Sequence, residues 1–331
     1  MSGHHHHGHH EEHDGTGGAV LVTATVNVLL CAAKWTAFLI TGSPSLFGEA
    51  AHSSADSLNP LFLWIGHRRG QAPADDAHPK GHGRETFFWS LIAAQMMFLI
   101  GSVLTAMNGW ETIRGGRVPT PSLIALGIMF FAFFAEGYSF FRAWRELKKE
   151  LGEDAVSKVT GSSNPLLLGI LVENGVDMLA ALFALLGFGI YQLTGNYLWD
   201  AGFSFAIAAT IAVSTTFLMN RNRSLLVGES APPRVVKRIL RAARLPLPVG
   251  SVRSVTAVLV DTKHLSCTVH VALDELWFEE EWQDRLAAKP DLRDPTGWTL
   301  HAIVDAIERV KKEIRQEVPE VTEINVEIDT Y

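Results

Sequence analysis

Residues 47–66 read FGEAAHSSADSLNPLFLWIG, an apolar run interrupted by Glu49, His52, Asp56 and Asn59 at helical spacing. Farther along, LLLGILVENGVDMLAALFALLG carries Glu173 and Asp177, again four apart. On a helix, residues i and i+4 share one face, so each segment offers two metal-ligand side chains about one turn apart. Ionisable groups at membrane depth are expensive and mark functional sites by default. The two pairs together make a four-ligand cage of His52, Asp56, Glu173 and Asp177. One imidazole with carboxylates suits Zn²⁺, and also Co²⁺, Ni²⁺ or Fe²⁺; an all-oxygen set would suit Mn²⁺ better, so His52 tilts the choice to zinc. The three carboxylates give the bare cage a charge of about −3, which metal or protons must neutralise. Protons reaching the cage from one side would lower its metal affinity and release the ion, and deprotonation on the other side would reload it. That is a chemical basis for metal/proton antiport.

The elements that position these residues are long and apolar. The chain has 331 residues, 47% of them apolar and 19% charged, with a positive mean hydropathy. Six apolar stretches occur, roughly 19–41, 47–66, 87–113, 119–141, 164–193 and 197–219. Each is long enough to cross a hydrocarbon core of about 30 Å at about 1.5 Å per residue. The second is the weakest because of its polar face. The expected fold is a six-helix transmembrane bundle, all-α, followed by a C-terminal cytoplasmic α+β domain. Basic residues cluster in alternate links: Arg68, Arg69, Lys80 and Arg84; then Arg142, Arg145, Lys148, Lys149 and Lys158; then Arg221 and Arg223. The opposite links hold only Arg114 and Arg117. The excess of Lys and Arg on one side places both termini in the cytoplasm of a multi-pass protein of the cell (plasma or inner) membrane. No basic region precedes a short apolar core at the N-terminus, so no cleavable signal peptide is expected. Cys31 and Cys267 do not suggest a disulfide framework.

Seven of the 14 histidines fall within the first 13 residues, MSGHHHHGHHEEH. Residues 1–18 read as a disordered cytoplasmic tail. It is either a native tract that binds divalent ions weakly or an expression tag. The transport domain then covers 19–220 and the cytoplasmic domain 221–331. In the latter, 231–245 reads as a helix with Val235, Val236, Ile239 and Leu240 on one face. Residues 251–261 and 265–273 read as two strands of a hairpin. Residues 299–317 read as a helix with Leu300, Ile303, Val304, Ile307, Val310 and Ile314 on its apolar side. INVEIDTY supplies a last strand. The order αββαβ suits a small sheet with helices on one face. A three-stranded sheet of this size is marginal alone, which favours dimerisation through it.

Several longer motifs complete the pattern: TGSxSLxxExxHSxxDSxN at 41–59, HPxGxGRExxFW at 78–89, EGYS at 136–139, GNxLxD at 195–200 and LVGESAPP at 226–233. With the acidic pair at Glu173, these resemble the cation diffusion facilitator family, zinc transporters of the solute carrier 30 type. The likeness runs over nearly the whole length. It is strongest to the subgroup with HSxxDxxN in the second helix and Glu in the fifth. The resemblance implies a six-helix transport domain, a metallochaperone-like cytoplasmic domain, a homodimer, and proton-coupled zinc export by alternating access. It places the zinc ligands at His52, Asp56, Glu173 and Asp177. The family more often carries His or Asp where Glu173 stands, and the Glu subgroup often lacks an acid four residues on. Asp177 is therefore either a ligand or an accessory proton carrier.

The remaining polar residues carry two readings each. Lys34 and Glu136 pair within the bundle, or Lys34 snorkels. Glu49 guides ions or holds a helix in place. Asn59 is a fifth contact or a hydrogen-bond partner of a ligand. Asp200 opens the sixth segment, where the helix dipole stabilises an acid. Asp75, Asp76, His78 and His82 form a second metal site or an ordinary solvated loop. Asp261, His264, His270 and Asp329 bind metal between protomers or are simply scattered. The stretch 274–298 is longer than the family's usual link, and its Trp277, Phe278 and Trp282 form an interface or cover the sheet. The expected partners are the bilayer, divalent metal ions, protons and a second copy of the chain, with no nucleic acid among them. Zinc enters as transported substrate rather than cofactor. Two other classes compete: a non-transporting membrane metal sensor, and an intramembrane metalloenzyme. The chain has no HExxH helix and no nucleophile with a paired base, so an enzyme is not expected.

Overall fold

A computed structural model of the chain describes residues 14–151, 165–261, 264–289 and 294–329. The histidine run at 4–13, the basic residue Lys158 and the first two residues of the hairpin link, 262–263, lie outside these. The described chain divides into two compact units. The first comprises the residues up to Ile65 with Trp89–Asn220, and the second Gly66–Phe88 with Arg221–Tyr331.

The first unit is helical. Its elements are α1 (Asp14–Thr41), α2 (Pro44–Gly70), α3 (Glu85–Met97), a π-helical turn (Phe98–Val103), α4 (Leu104–Gly115), α5 (Leu123–Leu151), α6 (Pro165–Thr194) and α7 (Leu198–Val227). Helix α1 begins at Asp14, so residues 14–18 of the expected tail are helical. Proline opens α2 and α6, where the missing N–H costs no helix bond. Gly42, Gly116 and Gly195 follow α1, α4 and α6 at φ of 68°, 60° and 68°. This left-handed conformation ends a helix and suits a residue without Cβ.

Among the described residues, four helical stretches are long and apolar enough to cross a membrane: the continuous Glu85–Gly115, then stretches of α5, α6 and α7. Six were expected. Helix α1 contributes a shorter apolar stretch, Asn27–Thr41. Helix α2 falls short because its polar face and its basic last turn, His67, Arg68 and Arg69, dilute its hydropathy.

Small residues set the helix spacing. Ala37, Ala125, Ala132, Ala180 and Ala184 are buried together with Phe188, Ile207 and Ile211. A Cβ on Gly187 would lie 2.6 Å from Phe203 Cβ, and one on Gly48 would lie 2.6 Å from Thr105 Cγ2. Such close approach of helix backbones is how membrane helices gain packing in a solvent as apolar as themselves. Large side chains such as Leu123, Phe131 and Val213 point outward and are exposed, as a lipid-facing surface requires.

The second unit contains α8 (Pro233–Ala243), β1 (Val249–Leu259), β2 (Leu265–Leu273), α9 (Glu275–Ala288), α10 (Pro295–Glu317) and β3 (Val321–Ile328). The sheet order is β1-β2-β3. β1 runs antiparallel to β2 with Val255 opposite Val269, and β2 runs parallel to β3 with Val269 opposite Val326. Its core joins Ile239 and Ala242 of α8, Cys267, Val269 and Val271 of β2, and Val310 and Ile314 of α10. Leu265, Cys267, Val269 and Val271 alternate as buried residues along β2, and the alternation ends at Ala272, which is buried, while Leu273 is half-buried.

Two details differ from the sequence reading. The link 274–298 contains α9, capped by Asp274, which accepts from the backbone N–H groups of Leu276 and Trp277 at 3.1 and 3.3 Å. The order is thus αββααβ. Trp277, Phe278 and Trp282 gather around Trp298 at the start of α10, with ring centroids 6.5, 6.0 and 5.6 Å away. On α10, Leu300 and Val304 are exposed, while Ala306, Val310 and Ile314 are buried. The buried stripe thus runs through small Ala306 rather than the larger residues a turn earlier.

Candidate metal centre

The helix α2 carries Ser45, Glu49, His52 and Asp56 on successive turns of one face, and α6 carries Glu173 and Asp177 one turn apart. Packing of these helices brings three side chains to one point. His52 Nε2 lies 2.9 Å from Asp177 Oδ1 and 3.6 Å from Asp56 Oδ2. One ligand atom from each of the three lies within 4.8 Å of the others. Ligands held at about 2.1 Å around a tetrahedral ion are about 3.4 Å apart, so these separations match a shared ion. His52 is buried, whereas Asp56 and Asp177 keep side-chain exposures of 24% and 18%. His52 Nδ1 and Asp56 Oδ1 are buried without a hydrogen-bond partner. Buried polar atoms are normally satisfied; the Asp56 oxygen leaves coordination capacity unused at the cluster, whereas His52 Nδ1 is on the Gly101 side of the ring.

Glu173, the fourth expected ligand, stands apart from this group of three. Its Oε1 accepts from Asn59 Nδ2 at 3.3 Å. Asn59 therefore tethers Glu173 to α2, one turn from Asp56. Pro60 follows within α2 and has no N–H to give the Asp56 carbonyl its helix bond.

The approach of α3 and α4 to this cluster depends on a glycine. Gly101 lies in the π turn, a feature frequent at functional sites. A Cβ there would lie 3.1 Å from Ile211 Cγ2 and 3.7 Å from His52 Nδ1. The chain signalled this position only as one glycine among 28; its neighbours in space were not readable.

Glu49 does not join the cage. Its Oε1 lies 2.7 Å from Lys34 Nζ. The same ammonium donates to Ser53 Oγ at 2.7 Å and to Glu136 Oε1 at 3.1 Å. Lys34 thus pairs inside the bundle with Glu136, as one of its two readings had it. Asp200, fully buried near the start of α7, accepts from the Ser45 hydroxyl; the contact ties α7 to the first turn of α2.

A second cluster lies in the loop before α3, within the C-terminal unit. Asp75 Oδ1 is 3.3 Å from His78 Nδ1, and Asp75 Oδ2 is 3.5 Å from His82 Nε2. These three also present ligand atoms within 4.8 Å of one another. The backbone N–H of His78 donates to Asp75 Oδ1 at 2.6 Å, and this bond holds the Asp75 carboxyl below its usual range. His82 Nδ1 faces the Pro73 carbonyl at 3.3 Å, an orientation that leaves Nε2 for the cluster. Asp76 is not part of it. Within one chain, the four residues singled out farther along form two separate pairs. His264 Nδ1 pairs with Asp261 Oδ2 at 2.7 Å, whereas His270 Nδ1 lies 3.6 Å from Asp329 and 3.7 Å from Glu327.

A family model for the cation efflux transmembrane domain matches residues 20–227. The chain belongs to the cation diffusion facilitator family. The mouse proton-coupled zinc antiporter SLC30A9, mitochondrial, is 27% identical over 95% of this chain and 59% of its own length. Metal tolerance protein C4 of Arabidopsis thaliana is 22% identical over 93% of this chain and 72% of its own. A shorter match, 32% identical over 34% of this chain and 38% of the relative, is to the manganese efflux system protein MneS of Bacillus subtilis. The chain spans about three-fifths of the length of the vertebrate relatives it matches.

Proposed function

We propose that this chain exports divalent metal cations, and that its reaction is Zn²⁺/H⁺ antiport. The observation that carries this reading is the convergence of His52, Asp56 and Asp177 from two helices of an apolar bundle, with ligand atoms within 4.8 Å of one another. His52, Asp56, Glu173 and Asp177 form the transport site, with Glu173 joining on arrival of the ion by leaving Asn59. Asp177, at 2.9 Å from the imidazole, serves as a ligand when metal is bound and takes a proton from His52 when metal leaves. Six helices span the membrane, with the basic links and both termini on the side from which metal is taken. The protein works as a homodimer, and Asp75, His78 and His82 hold a second ion at that face.

The physical cycle follows from competition. Metal ligands must be deprotonated, so each ion bound displaces protons and each proton bound weakens the ion. Rocking of one group of helices against the other exposes the same site alternately to each side. Support for zinc comes from the single imidazole and from the zinc antiporter relatives. A manganese reading is supported by the three carboxylates and by the manganese efflux relative. Flux into proteoliposomes separates them. Zinc-selective uptake with matching proton counterflow is expected. Preferential Mn²⁺ flux would reassign the substrate, and no flux of any divalent ion would leave a metal sensor in place of a transporter.

A further inference from the structure

The Lys34 ammonium donates hydrogen bonds to Ser53 Oγ at 2.7 Å and Glu136 Oε1 at 3.1 Å, and Glu49 Oε1 lies 2.7 Å away as an ion-pair partner. The side chains of Lys34 and Glu49 are 2% and 0% exposed. With both carboxylates ionised, one positive charge faces two negative ones in an apolar bundle. A single carboxylate would have neutralised Lys34, and a second buried charge of the same sign is costly unless something compensates it. Glu49 Oε2 is also buried with no donor at all. A tie that served only to hold α1, α2 and α5 together needs neither the excess charge nor the idle oxygen. Both suit a cation of charge two in place of the ammonium.

The location agrees. Glu49 precedes His52 by three residues, about 4.5 Å along the axis of α2. The metal centre is partly open beside Asp56 and Asp177. On the Glu49 side it is sealed: Ser43, Ser45 and Asp200 are all fully buried. An ion leaving His52 in that direction meets Glu49 next.

We infer that Lys34 is a tethered cation that closes an exit-side divalent-cation site formed by Glu49, Glu136 and Ser53. When the sealed end opens, the ammonium withdraws and the two carboxylates receive the ion leaving the cage. The exchange of Lys34 for a divalent ion brings the local charge from minus one to zero. The oxygen-only donor set takes hard and borderline dications alike, so this site passes the ion on rather than selecting it. Lys34 is a positioning residue here, since it touches the carboxylates and not the transported ion. The inference rests on the transport reading above.

Two measurements test it on the full-length protein. The first counts Mn²⁺ and Zn²⁺ bound per chain at equilibrium for wild type, Lys34→Met, and Lys34→Met/Glu49→Gln/Glu136→Gln. The first variant should hold one more ion than wild type, and the triple variant should lose that ion. Equal counts in wild type and a folded Lys34→Met protein, or an extra ion that survives in the triple variant, would overturn the site. The second uses Glu136→Gln, whose side-chain carbonyl still accepts from Lys34 but removes the excess charge. Maximal flux should fall by about tenfold or more, the scale seen when groups supporting a metal site are altered, with equilibrium zinc binding at the cage unchanged. Wild-type flux in Glu136→Gln would leave the triad a structural tie. The binding count does not depend on transport, so a wild-type protein without flux would sink the transport reading and leave this site to be judged by its own count.

Discussion

At the scale of single residues, His52 is the most informative position. It is buried, it contacts two carboxylates from two helices, and its Nδ1 has no partner. His52→Ala, Asp56→Ala or Asp177→Ala should reduce zinc affinity by at least about tenfold, because each removes one donor from a small ligand set. Isothermal titration in detergent reads this directly, and wild-type affinity in Asp56→Ala would remove that residue from the site. His52→Asp converts the set to oxygen ligands alone. Competitive flux of Zn²⁺ and Mn²⁺ should then shift towards Mn²⁺. Its pH dependence should change as well, because the ligand set loses its only imidazole and keeps carboxylates alone. An unchanged preference together with an unchanged pH profile would place His52 outside the ligand set.

At the scale of elements, helix contact is set by glycine. Gly187 of α6 faces the Cβ of Phe203 on α7, an atom that cannot swing away without its backbone. Gly187→Ala should force the two helices apart and destabilise the bundle by about 1–3 kcal/mol, the usual range for overpacking. The check is a lower apparent melting temperature in detergent; an unchanged one would mean the helices separate freely there. In the C-terminal unit, β2 buries Cys267, and burial pushes its thiol up to about 11. The folded state therefore holds the thiol protonated where an unfolded chain would ionise it. Stability from this source is intact below the unfolded value near pH 9 and declines as pH rises towards 11. Alkylation of Cys267 at pH 8 should be much slower in the native protein than after denaturation. Equal rates would show that the sheet opens readily.

At the scale of the whole molecule, the histidine-rich residues 1–13 precede α1 in the sequence. Deleting them should leave maximal zinc flux intact and weaken transport only at scarce metal, since weakly binding histidines raise the local ion concentration without forming the transport site. Loss of flux at saturating zinc would assign the tail a structural role. The loop before α3 is grouped with the C-terminal unit, where Lys80 pairs with Glu323 at 3.4 Å. Asp75, His78 and His82 accordingly belong with the sheet domain and not with the helical unit.

What the sequence determined by itself was whatever repeats along one helix or strand. The 3.6-residue spacing of Glu49, His52 and Asp56, the pair Glu173 and Asp177, and the alternation from Leu265 to Leu273 are all local regularities, so side-chain direction followed from periodicity. The transmembrane fold and the αββ beginning of the C-terminal unit were legible for the same reason. Only the tertiary structure decided which residues meet. It put Glu49 on Lys34 instead of in the cage, gave Glu173 to Asn59, and separated the pair Asp261 and His264 from His270 and Asp329. Each depends on the rotation and depth of one helix or strand against another. Those are fixed by contacts such as Gly187 on Phe203 and Gly101 on Ile211, between residues 16 and 110 positions apart in the chain. No period along a single chain segment encodes such a contact.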